Sequence, residues 1–329
     1  MLFKVKNALR NWADKSSFGS LVFQFCRNFV ATCMRILPDR VYAKWFYKLY
    51  TKKKLNLKDP KYFDEKVWWL KLNNRDPMLT KCSDKYAVRE YVKEAGCEDI
   101  LVDLIGVYEK AKDIGFEDIK EESIIKCTSG SGENVFYNPK EPQNHKMIIR
   151  RMKYALRHNP YKFSREWNYK NIKSKVVVEK VLRDKEGKLP VDYKFMCFDG
   201  EPKLLFMDIG LIDENNVYNH HYPRNIYDMD FNLMPFKETR DNYKGEIKKP
   251  ENWERMIETA RKLSQPFPFC RVDLYNVDGA IYFGEITFYH GGGCNNIQPE
   301  EWDLRLGEWI DLNNPKIVKK QSKSEKKYE

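Results

Sequence analysis

The stretch Arg271-Val-Asp-Leu-Tyr-Asn-Val-Asp-Gly-Ala-Ile-Tyr-Phe-Gly-Glu-Ile-Thr287 constrains this chain more than any other. Apolar Val272, Leu274, Ile281, Phe283 and Ile286 flank the turn-rich Asn276-Val-Asp-Gly279, a pattern that predicts a β-hairpin. Side chains alternate along a strand, so Arg271 and Asp273 share one face of the first strand, and Glu285 and Thr287 one face of the second. A short turn brings the strands side by side. A hard cation such as Mg²⁺ takes oxygen ligands and is commonly held by one or two carboxylates plus substrate phosphates, which makes Asp273 and Glu285 a natural pair. Arg271 would then face a transferring phosphoryl group. The plainer reading is a solvated strand face carrying an Arg271–Asp273 ion pair.

Upstream, Ser123-Ile-Ile-Lys-Cys-Thr-Ser-Gly-Ser-Gly-Glu-Asn-Val-Phe136 reads as a strand, a Gly/Ser loop and a second strand. Glycines let backbone N–H groups close over phosphates, and Lys126 supplies a point charge beside them. The segment matches neither the P-loop nor the dinucleotide fingerprint, and an ordinary hairpin turn with a surface lysine accounts for it as well. Lys175-Val-Val-Val-Glu-Lys-Val-Leu182 is a β-branched run that predicts a buried strand carrying Glu179 near its end. A further hairpin is expected around Asp199-Gly200, with Asp192 and Lys194 on one face of its first strand.

Together these segments resemble the ATP-grasp superfamily, and within it the TupA-like branch associated with bacterial surface-polysaccharide biosynthesis. The resemblance runs from about Leu37 to about Trp309. It rests on Asp59-Pro-Lys-Tyr-Phe-Asp-Glu-Lys66, Asp84-Lys85 with Arg89, Lys126 through Gly132, Asp192-Tyr-Lys194, Arg271-Val-Asp273 and Gly284-Glu-Ile-Thr287. The order of these motifs is more specific than any one of them. The resemblance implies an α+β ATP-grasp fold, two sheet-containing subdomains clasping ATP, preceded by a helical N-terminal segment. It further implies that Lys85 and Lys126 contact ATP phosphates and that Ser129, Gly130, Ser131 and Gly132 form a flexible loop over them. Glu179, Lys180 and Leu182 would border adenine, and Asp192 matches the acidic ribose contact of D-alanine:D-alanine ligases, with Lys194 close by. Arg271, Asp273 and Glu285 match the arginine and metal carboxylates of those ligases, while Thr287 stands where an asparagine is usual.

The glycine run after His290 predicts a backbone nest for an anionic substrate group at Gly291 and Gly292, with His290 orienting an acceptor or serving as a hydrogen-bonded loop histidine. His220-His221 near Arg224 lacks the third ligand that a zinc site needs. The expected organisation is a basic helical arm over residues 1–58, the N-terminal part of the ATP-grasp unit over 59–118, a small subdomain with the Gly/Ser loop over 119–183, a larger one with the metal hairpin over 184–312, and a Lys-rich tail over 313–329. The helix expected from about Asn252 to Leu263 would back the metal hairpin.

Net charge is +11, yet residues 1–60 hold 13 Lys/Arg against 3 Asp/Glu and residues 316–329 hold 6 Lys against 2 Glu, leaving the stretch between them at −3. Charge confined to the ends argues against a nucleic-acid groove. In the arm, Leu21, Val22, Phe25, Phe29, Val30, Cys33, Met34 and Leu37 recur at helical spacing. That helix either lies on an anionic membrane surface or packs on the catalytic body. Eight cysteines without a Cys-x-x-Cys pair or an export signal predict a cytoplasmic protein, one whose basic arm could bring it to the inner membrane face.

The function implied is an ADP-forming carboxylate–amine ligase that uses ATP and Mg²⁺ and works through an acyl phosphate. By resemblance, its partners are a uronic-acid-type carboxylate, free or glycan-linked, and an amine or amino acid. Two other classes stay open. A glycosyltransferase using a nucleotide sugar would draw on Asp228-Met-Asp230, and a membrane-surface scaffold that binds nucleotide without catalysis would draw on the basic arm.

Overall fold

The structure is a computed structural model that describes residues 36–130, 134–211, 219 and 221–319. The basic arm up to Arg35, Ser131 and Gly132 of the Gly/Ser loop, His220, and residues 320–329 of the Lys-rich tail lie outside the described residues.

Among the described residues, helices and antiparallel sheets follow one another as α1 (Asp39–Thr51), α2 (Phe63–Asn73), α3 (Pro77–Ser83), α4 (Val88–Glu94), β1 (Leu104–Tyr108), β2 (Ser123–Cys127), β3 (Val135–Tyr137), α5 (His145–Arg157), α6 (Tyr161–Ser164), β4 (Val176–Lys180), β5 (Asp192–Phe198), β6 (Glu201–Asp208), β7 (Arg224–Tyr227), β8 (Lys237–Glu238), α7 (Trp253–Ser264), β9 (Phe269–Val277), β10 (Ala280–Thr287), β11 (Ile297–Gln298) and α8 (Glu300–Glu308). A four-stranded sheet runs β1-β4-β2-β3, a five-stranded one β10-β9-β5-β6-β7, and β8 and β11 form a small ribbon. Helix starts follow local chemistry. Asp76 caps α3 by accepting the Met78 N–H at 2.9 Å ahead of Pro77 at the first helical position. Glu65, at the third position of α2, gathers the N–H groups of Asn56 and Lys61 at 3.0 and 2.9 Å.

One face of the five-stranded sheet is apolar. Phe195, Cys197, Leu205, Val272 and Leu274 pack there against Trp253, Met256, Ala260 and Leu263 of α7, whose i, i+3, i+7 and i+10 spacing makes a single stripe. Helix α7 therefore backs the hairpin as the sequence leads one to expect. The opposite face carries Asp192, Lys194, Asp208, Arg224, Arg271, Asp273, Glu285 and Thr287, as the cross-strand pairing requires.

The β9–β10 hairpin closes more tightly than the tetrapeptide expected from sequence. Val277 pairs with Ala280, and Asp278 and Gly279 alone turn the chain, both at positive φ. With so short a turn, continuous pairing would set Glu285 opposite Val272, on the core face. A bulge between Phe283 and Glu285 resets the register so that Glu285 faces Asp273 and Thr287 faces Arg271. The extra residue is Gly284, where an added Cβ would stand 2.9 Å from the Asp273 carbonyl oxygen. That approach is too close for a side chain.

The segment between α5 and β4 is tied to the N-terminal helices. Arg165 pairs with Asp39 at 3.3 Å, the Tyr42 hydroxyl donates to the Phe163 carbonyl, and Asn168 donates to the Ser83 hydroxyl at 2.7 Å. Among the described residues no helix is long and apolar enough to cross a membrane, and all six cysteines are free thiols.

Gly284→Ala should destabilise the fold by about 1–3 kcal/mol, the cost of overpacking against a backbone atom. Urea unfolding measures it, and a loss below about 0.5 kcal/mol, the usual range for a surface change, would mean that the bulge yields freely.

Candidate active site

The bulge sets two carboxylates side by side, and Arg271 bridges them. Its guanidinium grips Asp273 with two bonds of 2.6 and 2.5 Å and reaches Glu285 Oε1 at 3.0 Å. The Thr287 hydroxyl donates to the same Glu285 oxygen at 3.0 Å, fixing the carboxylate's orientation. Asp273 is buried, whereas the Glu285 side chain keeps 42% of its surface exposed at the sheet edge. Burial, reinforced by the nearby Asp192 charge, raises the Asp273 carboxyl to about 7 in spite of Arg271. Burial also acts on Glu285, but Arg271, Lys85 and the Thr287 hydroxyl together hold its carboxyl below the ordinary value.

Beside this cluster, Lys194 lies between Asp192, which it touches directly, and Asp208 at 3.2 Å. Burial alone would lower the ammonium, and the three aspartates around it, Asp192, Asp273 and Asp208, leave it raised instead. Asp192 keeps one buried oxygen, Oδ1, with no hydrogen-bond partner. An unpartnered buried acceptor is costly in a finished fold and suits an incoming hydroxyl or N–H donor.

The other cations come from the four-stranded sheet, from the α3–α4 connection and from α4. Lys126 on β2 pairs with Glu179 on β4 at 2.6 Å, and Arg89 approaches the same carboxylate at 3.8 Å. Lys85 donates from Nζ to the Gly130 carbonyl at 2.5 Å and from its backbone N–H to Thr128 at 3.0 Å, so it is bound to the start of the glycine loop. Burial pushes the Lys85 ammonium down, while Glu285 is the strongest influence raising it again. The two sheets thus present lysines and carboxylates to one another. Ser129 bonds the Ser174 hydroxyl at 2.5 Å, and Gly130 holds φ at +76°. Lys180 does not join the cluster: alternation turns it to the other face, where it pairs with Glu121 at 3.0 Å. Leu182 is half-buried in the connection after β4.

His290 occupies a different place from the one expected of an acceptor-orienting group. It is 3% exposed, its Nδ1 lies 3.2 Å from Arg271 Nη1, and its Nε2 lies 2.8 Å from Glu238. Arg271 can only donate, so Nδ1 accepts and Nε2–H donates to Glu238. Burial lowers the imidazole's pKa, consistent with this neutral form. The side chain therefore reaches the site only through Arg271. Gly291, Gly292 and Gly293 all take positive φ, and the Gly292 carbonyl accepts from the buried Lys71 ammonium at 2.6 Å.

Several members of this buried array were not singled out by sequence. Arg224 grips Asp208 with bonds of 2.5 and 2.9 Å and reaches Glu238 at 3.1 Å. Their signal is faint: charged residues at strand positions whose apolar neighbours require burial. Asp228, from the Asp-x-Asp tripeptide, spends its carboxylate on a turn, accepting the N–H groups of Asp230 and Asn232 at 3.0 and 2.7 Å. Among the described residues there is no group of three or more His, Cys, Asp or Glu placed to hold a metal ion. Asp273, Glu285 and the Thr287 hydroxyl bring their oxygens together on one face of the hairpin.

Comparison with known proteins gives one family: the TupA-like ATPgrasp model matches residues 65–311. No curated protein matches the chain. Among solved structures, the D-alanine–D-alanine ligase from Bacillus anthracis aligns at 17% identity and a TM-score of 0.43, covering 72% of this chain and 69% of that one. The D-alanine–D-alanine ligase from Helicobacter pylori aligns at 12% identity and 0.43, covering 78% and 68%. The ATP-grasp ligase PsnB complexed with minimal precursor aligns at 12% and 0.36, covering 65% of this chain and only 53% of that one.

Burial alone would raise the carboxyls of Asp208 and Glu238, but Arg224 and Lys194 around the first, and His290 and Arg224 around the second, hold them at about 2, below their ordinary 3.8 and 4.5. The stability they contribute is complete above about 4.5 and is lost as the pH falls toward about 2. Asp208→Asn should cost about 3 kcal/mol at neutral pH by removing the carboxylate that Arg224 grips with two bonds and leaving it Glu238 alone. It should also flatten the loss of stability over that acid window, as followed by circular dichroism. An unchanged acid slope would exclude the buried pair as its source.

Proposed function

We propose, on the premise that the chain belongs to the TupA-like ATP-grasp family, that it is an ADP-forming carboxylate–amine ligase. The observation that carries this reading is the bulged hairpin. It places Asp273, Glu285 and Thr287 on one face with Arg271 between them, near Lys85 of the α3–α4 connection. ATP fits the cleft between these sheets on two counts. Lys85 and Lys126 supply positive charge beside the glycine loop, and the unpartnered Asp192 Oδ1 offers an acceptor of the kind a ribose hydroxyl needs. Mg²⁺ would be held by Asp273 and Glu285, with Thr287 as a weaker oxygen, and would neutralise phosphate charge when bound.

In this reading the substrate carboxylate takes the γ-phosphoryl group and becomes an acyl phosphate, ADP departs, and an amine then displaces phosphate to leave an amide. The protein's part is positioning and charge. Arg271 stabilises the transferring group, its guanidinium held in plane by Asp273 on one side and by His290 on the other. Lys194 balances the aspartates that would otherwise repel the nucleotide. The backbone of Gly291 and Gly292, shaped by Lys71, borders the acceptor. We assign the carboxylate to the uronic-acid class of cell-surface polysaccharides and the amine to an amino acid or related compound, on family membership and not on contacts.

Mg²⁺–ATP at about 100 times its dissociation constant should raise unfolding free energy by about 2.7 kcal/mol, with no acceptor required. Glu285→Gln should weaken that stabilisation and lower ADP release by at least about a hundredfold while the fold persists. Stabilisation by a UDP-sugar and not by ATP would overturn the ligase reading.

A further inference from the structure

A cavity of about 250 Å³ opens beside the glycine loop, away from the carboxylate hairpin's own contacts. Gly130, His158, Pro160, Phe163, Glu166 and Tyr169 are among its lining residues. Its walls come from the segment between α5 and β4, the part of the four-stranded unit fastened to the N-terminal helices. Two contacts locate it relative to the chemistry. A Cβ at Gly130 would meet Pro160 at 2.8 Å, so the glycine loop forms one wall directly. A Cβ at Gly292 would lie 3.8 Å from Glu166 Oε1, so the Glu166 carboxylate stands against the glycine run that follows the hairpin. Tyr169 lies close enough to Glu285 and Arg271 to feel both charges.

Among the described residues that line it there is one formal charge, and it is negative. Among the described residues the Glu166 carboxylate has no hydrogen-bond or ion-pair partner. Lys71, the nearest ammonium that senses it, spends its bonds on the carbonyls of Gly292 and Ser164 at 2.6 and 3.4 Å. Aromatic faces complete the wall: His158 and Phe163 stack with centroids 4.8 Å apart, beside Tyr169. A carboxylate with rings around it attracts a cation, through charge and through the negative ring faces, and repels an anion. The volume is below the roughly 300–1,000 Å³ of drug-sized pockets, so the occupant is about the size of an amino acid.

We propose that this cavity binds the amine co-substrate as its ammonium, with Glu166 as the receiving carboxylate. The assignment rests on the ligase reading above and extends it by naming the face from which the amine approaches. An acyl phosphate formed at the hairpin would meet the nucleophile across the Gly292 edge, while the carboxylate co-substrate is excluded from the cavity by Glu166.

The test uses three probes of one size that differ in charge: benzylammonium, benzyl alcohol and benzoate, titrated by ligand-observed NMR into the full chain with Mg²⁺–ATP present. Benzylammonium should bind about tenfold more tightly than benzyl alcohol, the ratio expected for a hydrogen bond to a charged group, and benzoate should bind weakest. Glu166→Gln should erase the ammonium preference and Glu166→Asp should retain part of it. Equal binding of all three probes, a preference for benzoate, or an ammonium preference that survives Glu166→Gln overturns the proposal. Thermal unfolding of the same samples with Mg²⁺–ATP reads the premise separately. No shift with nucleotide alongside an intact ammonium preference would overturn the ligase reading and leave the cavity's cation selectivity standing.

Discussion

Charges on a buried sheet face survive only in pairs, and nearly everything around the candidate site answers to that constraint. A continuous line of charged groups runs from Asp192 through Lys194, Asp208, Arg224 and Glu238, passes through the neutral His290 to Arg271, and ends on Asp273 and Glu285. It crosses β5, β6 and β7, passes through the β8 ribbon and returns by the loop after β10. Removing a member takes a partner from each of its neighbours, most of them in a poorly solvated place. Such a line does little to raise stability over an apolar core of the same volume. What it does is fix the rotamers of Arg271 and Lys194, the two cations that face the cleft.

This arrangement explains why His290 and the small ribbon matter. Glu238 is the only carboxylate that the two-residue strand β8 brings to the site, and it holds both His290 and Arg224. The ribbon partner, β11, follows the glycine run directly, and Asn295 between them ties the His290 carbonyl to the buried Asp64 of α2. The motif around Phe63-Asp-Glu65 therefore serves the site at a distance: Glu65 shapes the start of the helix, and Asp64 anchors the loop that carries His290.

Much of the hairpin was legible in the sequence. Arg271, Asp273, Glu285 and Thr287 meet on one face as their spacing suggested, the Lys126 and Glu179 strands lie in one sheet, and α7 covers the apolar side. The route to that outcome was not legible, because a two-residue turn alone would have sent Glu285 inward. The sequence did carry a trace: apolar residues fall on odd positions at Ile281 and Phe283 and on even ones at Ile286 and Phe288, a change of phase across Gly284. Arg224, Asp208 and Glu238 were out of reach for another reason. Arg224 joins Asp208, 16 residues before it, to Glu238, 14 residues after it, through tertiary register alone. Glu166 likewise has no local pattern, since its significance comes from the fold bringing it to Gly292.

The change of phase at Gly284 has a consequence for tracing kinship among such chains. Each half of β10 keeps its own count of inward and outward positions, and the glycine is the joint between two frames. A profile built on strict alternation averages the halves against each other and sees a weak strand where the protein places its most demanding chemistry. Gly284 itself is the better landmark: the two frames of a strand built this way can be compared only after the bulged position has been found.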